Sequence, residues 1–182
     1  MWDGRTQVVR KLSAQLINAR PYQIAFIKNT SEGLSLAANG IDWRSGDNVV
    51  VHGNDFPSVV FPWQNLAEQG VETRRVAARE GRVLVDDLAD AIDGRTRALA
   101  ISTVQFKTGF RCDLAAIGQL CRDHDILFIV DGIQSLGALV LDVQACGADV
   151  VAADAHKWLL GPQGIGIFYC SDRALARLKV RT

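Results

Sequence analysis

Three polar residues, Asp131, Gln134 and Lys157, interrupt the most apolar half of this 182-residue chain where side chains can do chemistry. Asp131 ends the run Ile126-Leu127-Phe128-Ile129-Val130, Gln134 follows three residues later, and Lys157 follows a second strand-like run over 148–153. In an open parallel sheet the carboxyl ends of the strands open onto the ligand crevice, and both groups would emerge there. An amine at such an edge can condense with an aldehyde, and an acid beside it can keep a ring nitrogen protonated. A free lysine has a pKa of about 10.4, so the site must favour the neutral amine or the imine. That calls for a partly desolvated pocket, which the flanking Ala152, Ala153, Trp158 and Leu159 can supply.

Pyridoxal phosphate is the cofactor that such a pair suits. Each residue also has a plainer reading: a strand-end Asp as a turn or helix cap, a lone Lys as solvated surface, His156 as a satisfied turn residue. The chemical reading rests on their combination with the turn Gly161-Pro162-Gln163-Gly164. Two spaced motifs then make the resemblance specific. Val130-Asp131-Gly132-x-Gln134-Ser135 and the run from Asp154-Ala155-His156-Lys157-Trp158 to Gly164-Ile165-Gly166 resemble the fold-type I pyridoxal-phosphate enzymes of aminotransferase class V, the group with cysteine desulfurases and an epimerase-like branch. The resemblance implies that Lys157 is the Schiff-base lysine and catalytic base. It also implies that Asp131 pairs the pyridine nitrogen, Gln134 bonds the phenolic oxygen and His156 helps hold the phosphate.

The elements that must position these groups can be read along the chain. Apolar Val8, Val9, Leu12, Leu16 and Ile17 follow a 3.6-residue period, which predicts an amphipathic helix over about 6–19. A short strand over 23–27 leads through Asn29-Thr30-Ser31-Glu32-Gly33 into a helix closed by Gly40. A strand, a hydroxyl-rich turn and a helix start can gather free N–H groups into an anion site, although the local pattern alone favours an ordinary helix cap. The family carries its phosphate-gripping turn here, which implies Thr30 and Ser31 as cofactor contacts.

A buried strand over 47–52 precedes the loop Gly53-Asn54-Asp55-Phe56-Pro57-Ser58 and a helix running to Gly70. Family members place a ring over the pyridine from this loop, which implies Phe56; Phe56 as plain core is the other reading. A phenyl ring cannot relay a proton, so acid–base work would fall to Lys157. A strand over 71–76, antiparallel or at an edge, a short Asp-led helix over 86–92 and a strand over 97–103 follow. Gln105 stands where relatives carry an asparagine, the counterpart of an amide on the cofactor's phenolic side or the substrate. Lys107 is a second pocket cation or a solvated turn residue. Asp113 caps a helix that delivers the chain to residue 126, and a last helix spans 171–179. The alternation predicts a three-layer α/β/α domain on a mostly parallel sheet.

Composition sets limits on function. Hydrophobic residues make up 48%, charged residues 22%, and 20 basic residues balance 20 acidic ones, so nothing advertises nucleic acid or an anionic membrane as partner. No apolar run approaches the roughly 20 residues of a membrane span, and the first 20 residues lack a secretory core. Four cysteines without metal spacing read as reduced, packed thiols, in keeping with a cytoplasmic protein. Gly161-x-x-Gly164-x-Gly166 has neither the spacing nor the following helix of a dinucleotide fingerprint.

Asp154 departs from the family pattern. Many relatives have Ser or Thr there, and an ionised Asp would repel a phosphate dianion unless it turns away or His156 offsets it. Ala153-Asp154-Ala155-His156-Lys157-Trp158 leans towards the epimerase-like branch. Length is the larger departure. Residues 1–182 cover the large domain but less than half of a typical member, with a clipped start at Met1 and the small C-terminal domain absent. The resemblance implies an enzyme acting on amino acids, homodimeric when full length. Cysteine desulfuration, epimerisation and transamination stay open, as does a truncated, non-catalytic domain.

Overall fold

The computed structural model describes residues 2–179, so Met1 and the chain end at Thr182 lie outside the described residues. Helix α1 (Trp2–Leu16) leads to β1 (Ile24–Ile27), α2 (Thr30–Gly40), β2 (Asn48–His52), α3 (Pro57–Gln64) and β3 (Glu72–Val76). Then come α4 (Val85–Asp90), β4 (Thr96–Ser102), α5 (Leu114–Asp123), β5 (Leu127–Asp131), α6 (Val143–Cys146), β6 (Val150–Asp154), β7 (Gly166–Cys170) and α7 (Asp172–Arg177). The seven strands form one sheet in the order β1-β7-β6-β5-β4-β2-β3. β3, β2, β4, β5 and β6 pair in parallel, while β7 runs antiparallel to both β6 and β1.

The three-layer, mostly parallel α/β expectation holds. The central strands β2, β5 and β6 are buried at every position, as expected of parallel strands covered on both faces. One core gathers Val50, Leu99, Phe128, Val130 and Val151 beneath α5 and α6. The other gathers Val49, Ala100, Ile129 and Ala152 beneath α2 and α3. β3 is the parallel edge strand, and its Arg74 and Arg75 suit an edge that must not recruit another strand. Because β7 is antiparallel, residues 155–165 return directly to the sheet rather than through a crossover helix. Lys157 therefore rides a loop pinned at both ends to neighbouring strands.

Several boundaries differ from the sequence expectation. The first helix begins at Trp2 and ends at Leu16, and its apolar stripe does not face the core: Ala14 and Ile17 are buried, but Val8, Val9, Leu12 and Leu16 are 45–58% exposed. The helix after β2 stops at Gln64, short of Gly70, and a 3-10 turn over Asn65–Gln69 carries on to Gly70 in the left-handed conformation. The last helix covers only Asp172–Arg177.

Candidate active site

Four polar residues close the central strands at one end of the sheet: His52 on β2, Ser102 on β4, Asp131 on β5 and Asp154 on β6. A polar side chain buried at such a strand end needs hydrogen-bond partners. Asp131 is 1% exposed and accepts a hydrogen bond from the Ile133 backbone N–H at 2.9 Å. Burial pushes its pKa from the ordinary 3.8 up to about 7, with the charge of Asp55 acting the same way; the Ile133 bond and the charge of Lys157 oppose the rise. Gln134 is half-buried on the turn that follows, where Ser135 and Leu136 both donate backbone N–H groups to the Gly132 carbonyl.

The loop carrying Lys157 is built by close backbone approach. Ala155 N donates to Ile165 O and Gly161 N donates to Ala155 O, both at 2.9 Å. Gly137, at φ +102°, packs so tightly on this loop that a Cβ there would lie 2.3 Å from Trp158 O; only glycine fits both the dihedral and the space. Lys157 is half-buried, with Nζ 5.9 Å from the centre of the Phe56 ring. Phe56 is 42% exposed and meets Phe106 edge to face at 5.1 Å, so it is not plain core. Trp158 does not help desolvate the lysine as expected, being 53% exposed, whereas Ala152 and Ala153 are fully buried.

Helix α2 points its first turn at the same edge. Gly33 lets it approach: a Cβ there would lie 2.8 Å from both Ala152 Cβ and Ile27 Cδ1. Asn29 caps the helix through Glu32 N, and the buried Thr30 hydroxyl accepts from Asp154 N at 2.9 Å, stitching the helix start to the end of β6. Ser31 is exposed and shares a 2.6 Å hydrogen bond with Ser58. The free N–H groups and positive end of the dipole at such a terminus favour an anion. Asp154, 7% exposed, is held by the imidazole side of the loop, with His156 Nδ1 3.1 Å from its Oδ1. That contact is not aligned as a hydrogen bond, so Oδ1 keeps an unfilled acceptor position.

Gln105 joins the site through Asp55, the residue before Phe56. It is 2% exposed, and its amide is engaged by His52 and Asp55. His52, Asp55 and Ser102 were not singled out from the sequence, although His52 and Ser102 carry the same signal as Asp131, a polar residue closing an apolar run. Among the described residues no group of three or more His, Cys, Asp or Glu side chains could hold a metal, and no helix is long and apolar enough to cross a membrane. One surface groove, of about 730 Å³, lies beside Arg10, Tyr22 and Leu36, and another, of about 550 Å³, runs from Arg111 and Asp142 to Ser135 beside the Gln134 turn.

Comparison with known proteins gives consistent matches. The family model described as Aminotransferase class-V matches residues 4–181. A probable cysteine desulfurase of Methanothermobacter thermautotrophicus is 40% identical over 176 residues, 96% of this chain and 44% of that protein. The apo structure of a cysteine desulfurase from Thermococcus onnurineus superposes with a TM-score of 0.90 at 29% identity, covering 95% of this chain and 44% of that one. The cystine C–S lyase C-DES, solved with its product cysteine persulfide and, as a mutant, with glycine covalently linked to its PLP cofactor, matches with a TM-score of 0.91 at 27% identity, over 97% of this chain and 48% of that one. The chain thus spans less than half the length of the relatives it matches.

Proposed function

The chain belongs to the aminotransferase class V family, and on that premise we propose that residues 1–182 form the cofactor-binding large domain of a pyridoxal-phosphate enzyme that acts on amino acids, with cysteine desulfuration as its reaction class. One observation carries the reading: the Asp131 end of β5, the end of β6 from which the Lys157 loop leaves, and the first turn of α2 meet at one edge of the sheet. The donor set fits the cofactor. Lys157 offers an amine for its aldehyde, Asp131 a buried acid for its ring nitrogen, and Gln134 an amide for its phenolic oxygen. Thr30, Ser31 and the α2 N–H groups suit its phosphate, as does His156, whose Nδ1 lies 3.1 Å from Asp154. When bound, the cofactor supplies an electron sink for bonds breaking at the amino acid.

The chain's own residues supply the rest. Asp131, whose burial favours keeping a proton, would share that proton with the ring nitrogen and hold it there. Phe56 covers the site without relaying protons, so Lys157 Nζ is the base that removes a proton from the substrate's α-carbon. Gln105, bound to Asp55 and His52, backs the site from behind and leaves the direct contacts to the other residues.

The test is to add pyridoxal phosphate to the purified chain. The expected outcome is a visible absorbance band, with borohydride fixing the cofactor to the Lys157 peptide by mass, and a loss of about 100-fold or more in retained cofactor in Lys157→Ala, since a covalent bond is replaced by contacts alone. No band in the wild type would sink the reading. Release of sulfide and alanine from cysteine by the whole protein marks a desulfurase. The Ala153-Asp154-Ala155-His156-Lys157-Trp158 run supports an epimerase or aminotransferase instead, for which α-deuterium exchange without sulfide is the signature. Cofactor uptake without either reaction marks a non-catalytic domain. We further propose a cytoplasmic homodimer. The apolar stripe of α1 lines a groove of about 480 Å³ with Phe26, Leu159 and Ile165, and light scattering of the whole protein checks it.

A further inference from the structure

Asp55 occupies the crevice between β2 and β4, where the strand order turns: β3 lies outward of β2, while β4, β5 and β6 follow on its other side. Open α/β sheets bind ligands at such a switch point. Asp55 is 7% exposed and accepts four hydrogen bonds: from Ser102 Oγ at 2.5 Å, Ser102 N at 2.9 Å, Gln105 Nε2 at 3.1 Å and Phe56 N at 2.8 Å. Gln105 is oriented in turn by His52, whose Nδ1 lies 3.0 Å from Gln105 Oε1. With the amide NH2 given to Asp55, its oxygen can only accept, so His52 donates from Nδ1. Burial lowers the His52 pKa and keeps the ring neutral. Its unpartnered Nε2 is then a bare lone pair rather than a stranded N–H. Every donor in this buried chain points towards Asp55.

Two consequences reach the active edge. Ser102 is the register partner of Asp131 across β4 and β5, so a second carboxylate sits behind the site's acid with one serine between them. Asp55 also precedes Phe56, whose ring faces Lys157. We propose that Asp55 is a positioning residue of the cofactor site: it ties the Phe56 loop to the end of β4 and stands behind Asp131 with only Ser102 between them. The inference rests on the cofactor reading above. The other charged group acting on Asp131 is Lys157, from the β6–β7 loop, with the opposite sign. Burial lowers the pKa of His52 behind Gln105, and Asp154 lies 3.1 Å from His156 Nδ1.

Carbon-13 NMR titration of the aspartate carboxyls in the cofactor-free chain reads this coupling directly. The Asp131 midpoint, which burial raises above the ordinary carboxylate range, is expected to fall in Asp55→Asn by about three-fold or more in proton affinity, and to return in Asp55→Glu. An unchanged midpoint in a folded Asp55→Asn overturns the proposal. If that variant does not fold, Ser102→Ala tests the tether, because it keeps the charge and removes only the hydroxyl bond. Phe56 amide exchange should then quicken by about ten-fold, the worth of one hydrogen bond, with the Asp131 midpoint still raised; unchanged exchange overturns the proposal. A wild-type chain that forms no borohydride-stable adduct at Lys157 overturns both readings. Adduct formation together with an unmoved Asp131 midpoint in Asp55→Asn sinks this one alone.

Discussion

At the scale of single residues, the site is a place where the fold is held against its own preference. Asp131 keeps its proton to about pH 7 in the folded protein but releases it near the ordinary 3.8 when unfolded. Between those values the folded state binds more protons, so stability falls as the pH rises through that window, and the penalty is complete above it. Asp131→Asn removes the titration. Without cofactor, that variant should therefore be more stable than the wild type at pH 8 by roughly 1–3 kcal/mol, with the gap closing below pH 4. Urea unfolding at several pH values checks this, and a gap that does not change with pH would show that Asp131 is solvated. The same variant should bind pyridoxal phosphate less tightly, since stability and function pull on this carboxyl in opposite directions.

At the scale of elements, the site depends on how closely α2 can lie on the sheet. Gly33 has no room for a side chain, since a methyl group placed there would meet Ala152, Ile27 and Phe168 all within 3.1 Å. Alanine raises intrinsic helix propensity by about 1 kcal/mol over glycine, but overpacking at a buried contact costs about 1–3 kcal/mol. Gly33→Val, larger still, should lower stability by at least that amount and push the first turn of α2 away from Asp154. The expected readouts are a lower thermal midpoint and a weaker apparent affinity for pyridoxal phosphate, with absorbance titration as the check. A destabilised variant with wild-type cofactor affinity would detach the helix terminus from the phosphate.

At the scale of the whole molecule, the opposite end of the sheet carries the scaffold's own polar anchor. Asp149 is 3% exposed and accepts from Phe128 N at 3.0 Å, from Ser171 Oγ at 2.9 Å and from the Arg173 guanidinium. It joins β5, the start of β6 and the turn into α7, while Arg173 also reaches the Ile126 carbonyl at 3.1 Å. Removing the cation leaves a buried carboxylate without its partner, a loss of roughly 2–4 kcal/mol. Arg173→Leu should therefore lower stability by that amount in chemical denaturation while leaving the Asp131 titration untouched, since the pair lies at the other end of the strands. A change at Asp131 would mean that the two ends of the sheet are mechanically coupled.

Much of this was legible in the amino-acid order, because strand ends and helix starts are local events. Apolar runs that stop at Asp131 and before Lys157, the capped start at Asn29-Thr30 and the alternation of elements all announce themselves within a few residues. The inward-facing side of α1 was not legible, because a periodic apolar stripe says that a face exists and not what covers it. The partners of Asp55 were hidden for a related reason: they lie 47 and 50 positions away at Ser102 and Gln105, and hydrogen bonds across a strand crossover leave no local period. The sequence by itself determined which polar residues stand at the ends of the apolar runs and which strands bring them there. Only the tertiary structure decided that two carboxylates, one lysine and one helix terminus share an edge, because that follows from strand order and from how closely a glycine lets a helix approach.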